Sequence, residues 1–281
     1  MPNAPTPPMA IIRHFAVTNP RFITETAIAE IWKVRRSDGS LAALKVYKNG
    51  DMQDEAPGFT LLNTWDGNGA ARLYAQTNGA VLLEWLEGPS LGDLVRDGRD
   101  TEATEILGRV ATQLHLKPVA QTNAFGRLHD EFAPLITAKC SDDCADVTRH
   151  VIQSAQRIAT QLLATQSDIR PLHRDLHHDN IRGSARGYLA FDAKGVIGER
   201  CFELANAFRN PIGAEALYSD PTVIKRRLAT WSQAFDVPPR RLLLWAAAHS
   251  ALSLAWTYNG LFCHASKAEI ALVKTFLDLA D

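Results

Sequence analysis

His173-Arg174-Asp175-Leu176-His177-His178-Asp179-Asn180, followed by the apolar run Tyr188 to Phe191 and then Asp192, is the most informative part of this 281-residue chain. It sets out a carboxylate, a side-chain amide five positions on, and a second carboxylate where a strand should end. Transfer of a phosphoryl group from ATP needs these groups. One carboxylate must stand at the acceptor hydroxyl, and oxygen ligands must hold the divalent cation, usually magnesium, that grips the phosphates. Asp175 fits the first role; Asn180 and Asp192 fit the second. Singly, Asp and Asn are common turn formers. The full string with a strand-terminal Asp is a much rarer pattern, and it implies a phosphoryl-transfer site.

The spacing of Asp175 and Asn180 is that of a protein-kinase catalytic loop, with a metal-binding Asp beyond it. Here, however, Asp192 is followed by Ala193-Lys194-Gly195 rather than Phe-Gly. His173 is expected to be structural, its ring tying the loop to backbone near Asp192. His177 and His178 beside carboxylates raise the question of zinc, but the motif holds no thiol and no third spaced histidine.

Working outward, 46% hydrophobic residues over this length suffice for a substantial core in one or two domains. Thirty basic against thirty-one acidic residues create no field that would recruit nucleic acid or an anionic membrane. Cys140, Cys144, Cys201 and Cys263 form no disulfide framework, and the first pair reads as two thiols in or beside a loop. Met1 to Met9 holds four prolines and lacks the basic and apolar regions of a secretory signal, so a cytoplasmic protein is expected. Leu242 to Trp256 is too short to span a bilayer and should be a buried helix.

Residues 1–87 read as a small sheet lobe. Thr26 to Val34 and Leu41 to Tyr47 are strands about an Asp38-Gly39 turn, with Lys45 between Leu44 and Val46. That setting suits a lysine whose ammonium meets nucleotide phosphates and a helix carboxylate. Asp51 to Asp66 is a helix with Phe59, Leu61, Leu62 and Trp65 on one side. Glu55 is the best partner for Lys45 and Asp54 the next; adjacent helix positions face about 100° apart, so both cannot orient it equally well. No Gly-x-Gly-x-x-Gly string precedes Lys45, so Ile23 to Ala27 would cover the phosphates without glycine's freedom. Ala71 to Gln76 and Ala80 to Trp85 form another strand pair. Glu84 and Leu86 then lie where backbone groups would meet adenine, with Leu86 as a pocket wall.

Residues 88–281 read as a larger helical lobe. Helices are expected over Ser90 to Val95, Glu102 to His115, Val147 to Ala164, Pro221 to Ala234, Pro239 to Asn259 and Ser266 to Leu279. Glu203 should brace the turn after Asp192, or else meet a cationic substrate. The fold class is therefore α+β: a two-lobed, protein-kinase-like architecture with an antiparallel sheet in the smaller lobe.

These motifs resemble the aminoglycoside phosphotransferase-type kinases, most closely the branch of streptomycin 6-phosphotransferases and hydroxyurea-resistance kinases. The likeness runs from about residue 20 to 275 and rests on Leu44-Lys45-Val46, Asp54-Glu55, Thr64 to Leu73, Leu83 to Gly88, Leu172 to Asn180, Leu189 to Arg200 and Trp245 to Trp256. It implies ATP-dependent phosphorylation of a hydroxyl on a small cationic aminocyclitol, with Asp175 as base, Asn180 and Asp192 on Mg2+, and Lys45 and Glu55 as the nucleotide pair. Three positions depart from that branch: Arg174 stands for glycine, Ala193 for proline and Glu203 for aspartate. Arg174 is expected to point into solvent, with an acidic partner as the alternative.

The acceptor-binding acids suggested by charge alone are Glu199, Glu203 and the Asp142, Asp143, Asp146 cluster. A protein kinase is disfavoured by the missing glycine-rich loop, Asp-Phe-Gly and Ala-Pro-Glu segments. A nonenzymatic nucleotide-binding module should have lost Lys45, Asp175, Asn180 or Asp192, and all four are present. Another small metabolite, such as a ketosamine or choline-like alcohol, is the alternative acceptor. A monomer or weak homo-oligomer is expected.

Overall fold

The computed structural model describes residues 6–52, 55–118, 125–262 and 266–281. The chain opens with α1 (Met9–His14), then β1 (Thr18–Glu25), β2 (Ala29–Arg35), β3 (Leu41–Tyr47), α2 (Ala56–Trp65), β4 (Leu73–Thr77) and β5 (Ala80–Glu84). The five strands form one antiparallel sheet in the order β1-β2-β3-β5-β4. Alternation along β3 sends Ala42, Leu44 and Val46 to a core with Trp32, Val34 and Leu82, onto which Ile11 and Ile12 of α1 pack. Lys45, opposite Ile31 and Val81, therefore goes to the other face with Tyr47.

Several boundaries differ from expectation: α2, expected from Asp51, begins at Ala56, and β4, expected from Ala71, begins at Leu73. β2 starts at Ala29 because Thr26 closes a turn: its N–H donates to the Ala29 carbonyl at 2.7 Å, and its hydroxyl accepts from the Ala29 N–H at 3.0 Å. Ile23 to Glu25, expected to cover the phosphates, is the end of an edge strand that hydrophobic patterning did not reveal. Asp54 lies outside the described residues.

The larger lobe begins with α3 (Leu91–Arg96) and α4 (Asp100–Leu114). Next come β6 (Gly126–Arg127), α5 (Leu128–Glu131), α6 (Ala133–Ile136), β7 (Lys139–Cys140) and α7 (Asp146–Ala164). After β8 (Ile169–Leu172), β9 (Ile181–Ser184), β10 (Gly187–Ala190) and β11 (Val196–Glu199) come α8 (Glu215–Tyr218), α9 (Pro221–Phe235), α10 (Pro239–Thr257), β12 (Leu261–Phe262) and α11 (Lys267–Ala280). The two lobes make an α+β, kinase-like fold. α10 is buried nearly all round, from Leu242 to Ala255, which is why its sequence is apolar without a stripe. Trp245 packs its ring against Phe132 at 5.7 Å and Phe202 at 5.3 Å. Among the described residues, no helix is long and apolar enough to cross a membrane.

Main-chain hydrogen bonds join the lobes. The Ala71 N–H donates to Ala190 at 2.8 Å, and the Ala190 N–H donates to Gly69 at 2.9 Å. Just past that junction, within the larger lobe, the Gly88 N–H donates to Gly183 at 2.8 Å, so close that a Cβ on Gly88 would sit 2.8 Å from Gly183 backbone atoms. Glycine is required there for the approach itself.

Candidate active site

Antiparallel pairing of β9 with β10 sets Ile181 opposite Ala190, and the Phe191 N–H donates to the Asn180 carbonyl at 2.9 Å. This places the end of the catalytic string beside the strand that delivers Asp192. His173 completes the junction as expected: its Nε2 lies 3.0 Å from the Phe191 carbonyl, and its ring stacks on Trp65 at 6.3 Å.

Within the loop, the Asn180 side-chain amide donates to the Asp175 carbonyl at 2.9 Å and to its Oδ2 at 3.2 Å. The amide oxygen of Asn180 is thereby left for another partner. On the opposite side, Asn206 donates to Asp175 Oδ1 at 2.8 Å. Asn210 fixes the orientation of Asn206 by donating to its side-chain oxygen at 3.0 Å and its carbonyl at 2.9 Å. A buried Arg227, paired with Asp100 at 2.7 Å, donates to the Asn210 carbonyl at 2.8 Å. Charge burial in α4 and α9 thus ends at the carboxylate of Asp175.

Across the cleft, Lys45 bridges two lobes. Its Nζ is 2.5 Å from Glu55 Oε2 and 3.1 Å from Asp192 Oδ1, and the Tyr47 hydroxyl donates to Glu55 at 2.5 Å. Lys194 reaches the other oxygen of Glu55 at 2.9 Å. Burial pushes the Asp192 carboxyl upward, but the Lys45 and Lys194 ammoniums outweigh it and hold it below the ordinary aspartate value. Asp192 therefore presents an ionised carboxylate at neutral pH. With the Asn180 amide oxygen it makes a donor set suited to a hard cation such as magnesium, which takes few protein ligands beside phosphates and water.

Leu86 packs with Ala71, Leu189 and Phe191 as an apolar wall. Glu84 has its carboxylate on Arg186, at 3.0 and 2.5 Å, and its N–H on the Arg72 carbonyl at 2.9 Å. Its side chain therefore braces the strand where the lobes meet.

Beside Asp175 lies a cavity of about 210 Å3 whose walls include Glu131, Arg174, Lys194, Phe202, His249 and Trp256. Burial, then the charges of Arg209 and Arg174, push the His249 imidazole down to about 3, so this side chain is neutral. A larger hollow of about 740 Å3, lined mostly from α7, α10 and α11, has none of Lys45, Asp175, Asn180 and Asp192 in its walls.

The acids first considered for this pocket are engaged elsewhere. Glu199 is buried on Arg241 at 2.5 Å. Glu203 is buried as a brace, accepting the His173 N–H at 3.0 Å and the Arg174 N–H at 3.3 Å with His115 Nε2 at 2.8 Å. Asp142, Asp143 and Asp146 are exposed. Arg174 has taken the acidic-partner alternative and pairs with Glu131. Glu131 and Asn206 were missed because neither belongs to a motif. One lies in a four-residue helix and the other thirty-one residues from the carboxylate it holds.

Residues 14–260 match a family described as aminoglycoside/hydroxyurea antibiotic resistance kinase. The chain is 36% identical over 231 residues to streptomycin 3''-kinase of Klebsiella pneumoniae, covering 80% of this chain and 83% of that one. Among solved structures it is similar to Plasmodium vivax ethanolamine kinase, with a TM-score of 0.60 and 14% identity over 93% of this chain and 82% of that one. It is also similar to the apo form of a thermostable mutant of aminoglycoside phosphotransferase APH(4)-Ia, with a TM-score of 0.61 and 14% identity over 95% and 97% of the two chains. At such identities the structural likeness concerns the fold.

Proposed function

The chain belongs to the aminoglycoside/hydroxyurea antibiotic resistance kinase family, an ATP-dependent small-molecule kinase, and from that premise we propose that its acceptor is a hydroxyl of streptomycin or a related aminocyclitol. The observation that carries the reading is the meeting of Asp175, Asn180, Asp192 and Lys45 around one cleft. The streptomycin kinase of Klebsiella pneumoniae, at 36% identity, supports the choice of acceptor.

In this reading Asp175, held from both sides by Asn180 and Asn206, orients the acceptor hydroxyl and takes its proton as the oxygen attacks the γ-phosphorus. The bond from that phosphorus to the β,γ-bridging oxygen breaks, and ADP leaves. Lys45, positioned by Glu55, meets the nucleotide phosphates. Asn180 and Asp192 would hold Mg2+, which supplies charge neutralisation to the phosphates when bound. Leu86 contributes an apolar wall to the adenine, with Glu84 bracing the adjoining strand, and the lobe boundary falls at residues 87–88.

The test is a purified-protein assay with magnesium and γ-labelled ATP across streptomycin, other aminoglycosides and small amino alcohols, with product mass and regiochemistry determined. Labelled phosphate on streptomycin is expected. Asp175→Asn should cut turnover by about a hundred- to ten-thousand-fold while ATP binding persists. Full turnover in that variant rules out the proposed base. A second reading, a compact metabolite alcohol as acceptor, is favoured by the cavity of about 210 Å3, smaller than the roughly 300–1,000 Å3 of drug-sized ligand pockets. Transfer to small amino alcohols with none to aminocyclitols would select it.

A further inference from the structure

Arg174 holds a φ of 72°, a left-handed backbone that disfavours a side chain. Its guanidinium turns into the cavity beside Asp175 and pairs with Glu131 at the end of α5. The two side chains are 21% and 26% exposed, so the pair is half-buried in the cavity wall and not a solvated surface contact.

The cavity's other charges already have duties. Lys194 is on Glu55 at 2.9 Å, and Asp175 is held by Asn206 and Asn180 for the reacting hydroxyl. Glu131 is thus the acid in this wall that lies outside the phosphoryl-transfer machinery. What it holds is a planar cation with the fork geometry that matches a carboxylate.

We propose that Glu131 is the subsite for the acceptor's cationic group, and that Arg174 is an internal occupant which an acceptor guanidinium or ammonium must displace. The idea rests on the proposed amino-bearing acceptor and goes beyond it by naming the group that reads the charge. Displacement releases Arg174 toward solvent, which its partial exposure permits, while Trp256, 42% exposed, stands at the same cavity to cover an incoming cation. Arg174 accordingly weakens cationic acceptors by the fraction of time it occupies Glu131.

The experiment measures streptomycin binding by titration calorimetry, and streptomycin KM where turnover is present, for the full chain and for Arg174→Gly, Glu131→Gln and the double variant. Glycine accepts the left-handed φ, and thermal melts establish that each variant is folded. Arg174→Gly should tighten streptomycin, whose guanidinium groups compete for the same carboxylate, by roughly three- to tenfold in Kd, with KM following. Glu131→Gln should weaken binding, and should do so more in the Arg174→Gly background, where no internal cation shields the carboxylate. Unchanged or weaker binding in Arg174→Gly overturns the proposal, as does indifference to Glu131→Gln in that background. Failure of streptomycin to bind either the wild type or Arg174→Gly also overturns it. Absence of phosphate transfer, by contrast, counts against the aminocyclitol-kinase reading alone, since the Kd comparison still decides whether Glu131 is the cation subsite.

Discussion

Asn206 donates its side-chain amide to Asp175 at 2.8 Å, and Asn210 fixes the orientation in which it does so. The base role proposed for Asp175 gains from a carboxylate held in place, since misplacement by about 1 Å can cost a hundredfold in rate. Asn206→Ala should therefore lower kcat by about ten- to a hundredfold and leave the KM for ATP close to wild type. Steady-state kinetics with both substrates varied provides the check. A variant that loses ATP affinity in proportion to kcat would place Asn206 in general lobe packing instead.

Gly58 of α2 faces the turn after Asp192. A Cβ there would lie 1.6 Å from the Ala193 carbonyl oxygen. Ala193 is itself buried, so neither partner can yield without moving the helix that carries the Lys45–Glu55 contact away from Asp192. Gly58→Ala should cost about 1–3 kcal/mol of stability by overpacking and should raise the KM for MgATP. Gly126→Ala is the control, because no atom lies within 4 Å of its added Cβ and its φ is not left-handed. Equal behaviour of the two variants in melts and kinetics would dismiss the close approach as inconsequential.

Lys45 stood out because the run Leu41 to Val46 resembles the nucleotide-lysine strand of kinases, and in the fold it lies on the sheet face opposite the core that takes Leu44 and Val46. Asp175, Asn180 and Asp192 could be proposed from sequence because their spacing is local. β1 could not: it is an edge strand whose residues are mostly exposed, with Pro20 inside it, so there is little apolar alternation to read. Asn206 and Glu131 carry no local pattern, since each acts on a residue the fold brings to it from a distance. Glu203 was placed correctly as a brace, but its partner His115 comes from the end of another helix, which no spacing rule could supply.

Glu203 also makes the fold pH-dependent. It is 1% exposed. Burial pushes its carboxyl up, but the His115 hydrogen bond and the charges of His115 and His173 outweigh burial and hold it below its ordinary 4.5. A carboxyl depressed in the folded state contributes stability that is complete above its unfolded pKa and is lost as pH falls through the folded value. Glu203→Ala should then cost about 3–5 kcal/mol at neutral pH, the loss of one partner from a buried charged network. The gap to wild type should narrow as pH drops below about 4. Urea midpoints near neutrality and in acid test this; a gap that is constant with pH would assign the loss to packing.

Lys45 and Glu55 are 7% and 5% exposed, and Glu55 accepts from Lys45, Lys194 and the Tyr47 hydroxyl at once. Removing the carboxylate leaves two ammoniums facing each other beside Asp192, whereas removing Lys45 leaves Glu55 still served by Lys194. The two deletions should therefore be unequal. Glu55→Ala is expected to destabilise by about 3–5 kcal/mol, as when one partner of a buried pair is deleted, and Lys45→Met by less. Because both variants remove the same Lys45–Glu55 contact, the double variant should fall short of the sum by about 0.5–3 kcal/mol, the range for coupled neighbours. A double-mutant cycle in chemical denaturation measures that coupling, and strict additivity would mean that the short contact in the structure carries no energy. MgATP binding separates the roles further: it should weaken in both single variants and stay weak in the double, since in the proposed mechanism the phosphates meet the ammonium that Glu55 holds in place.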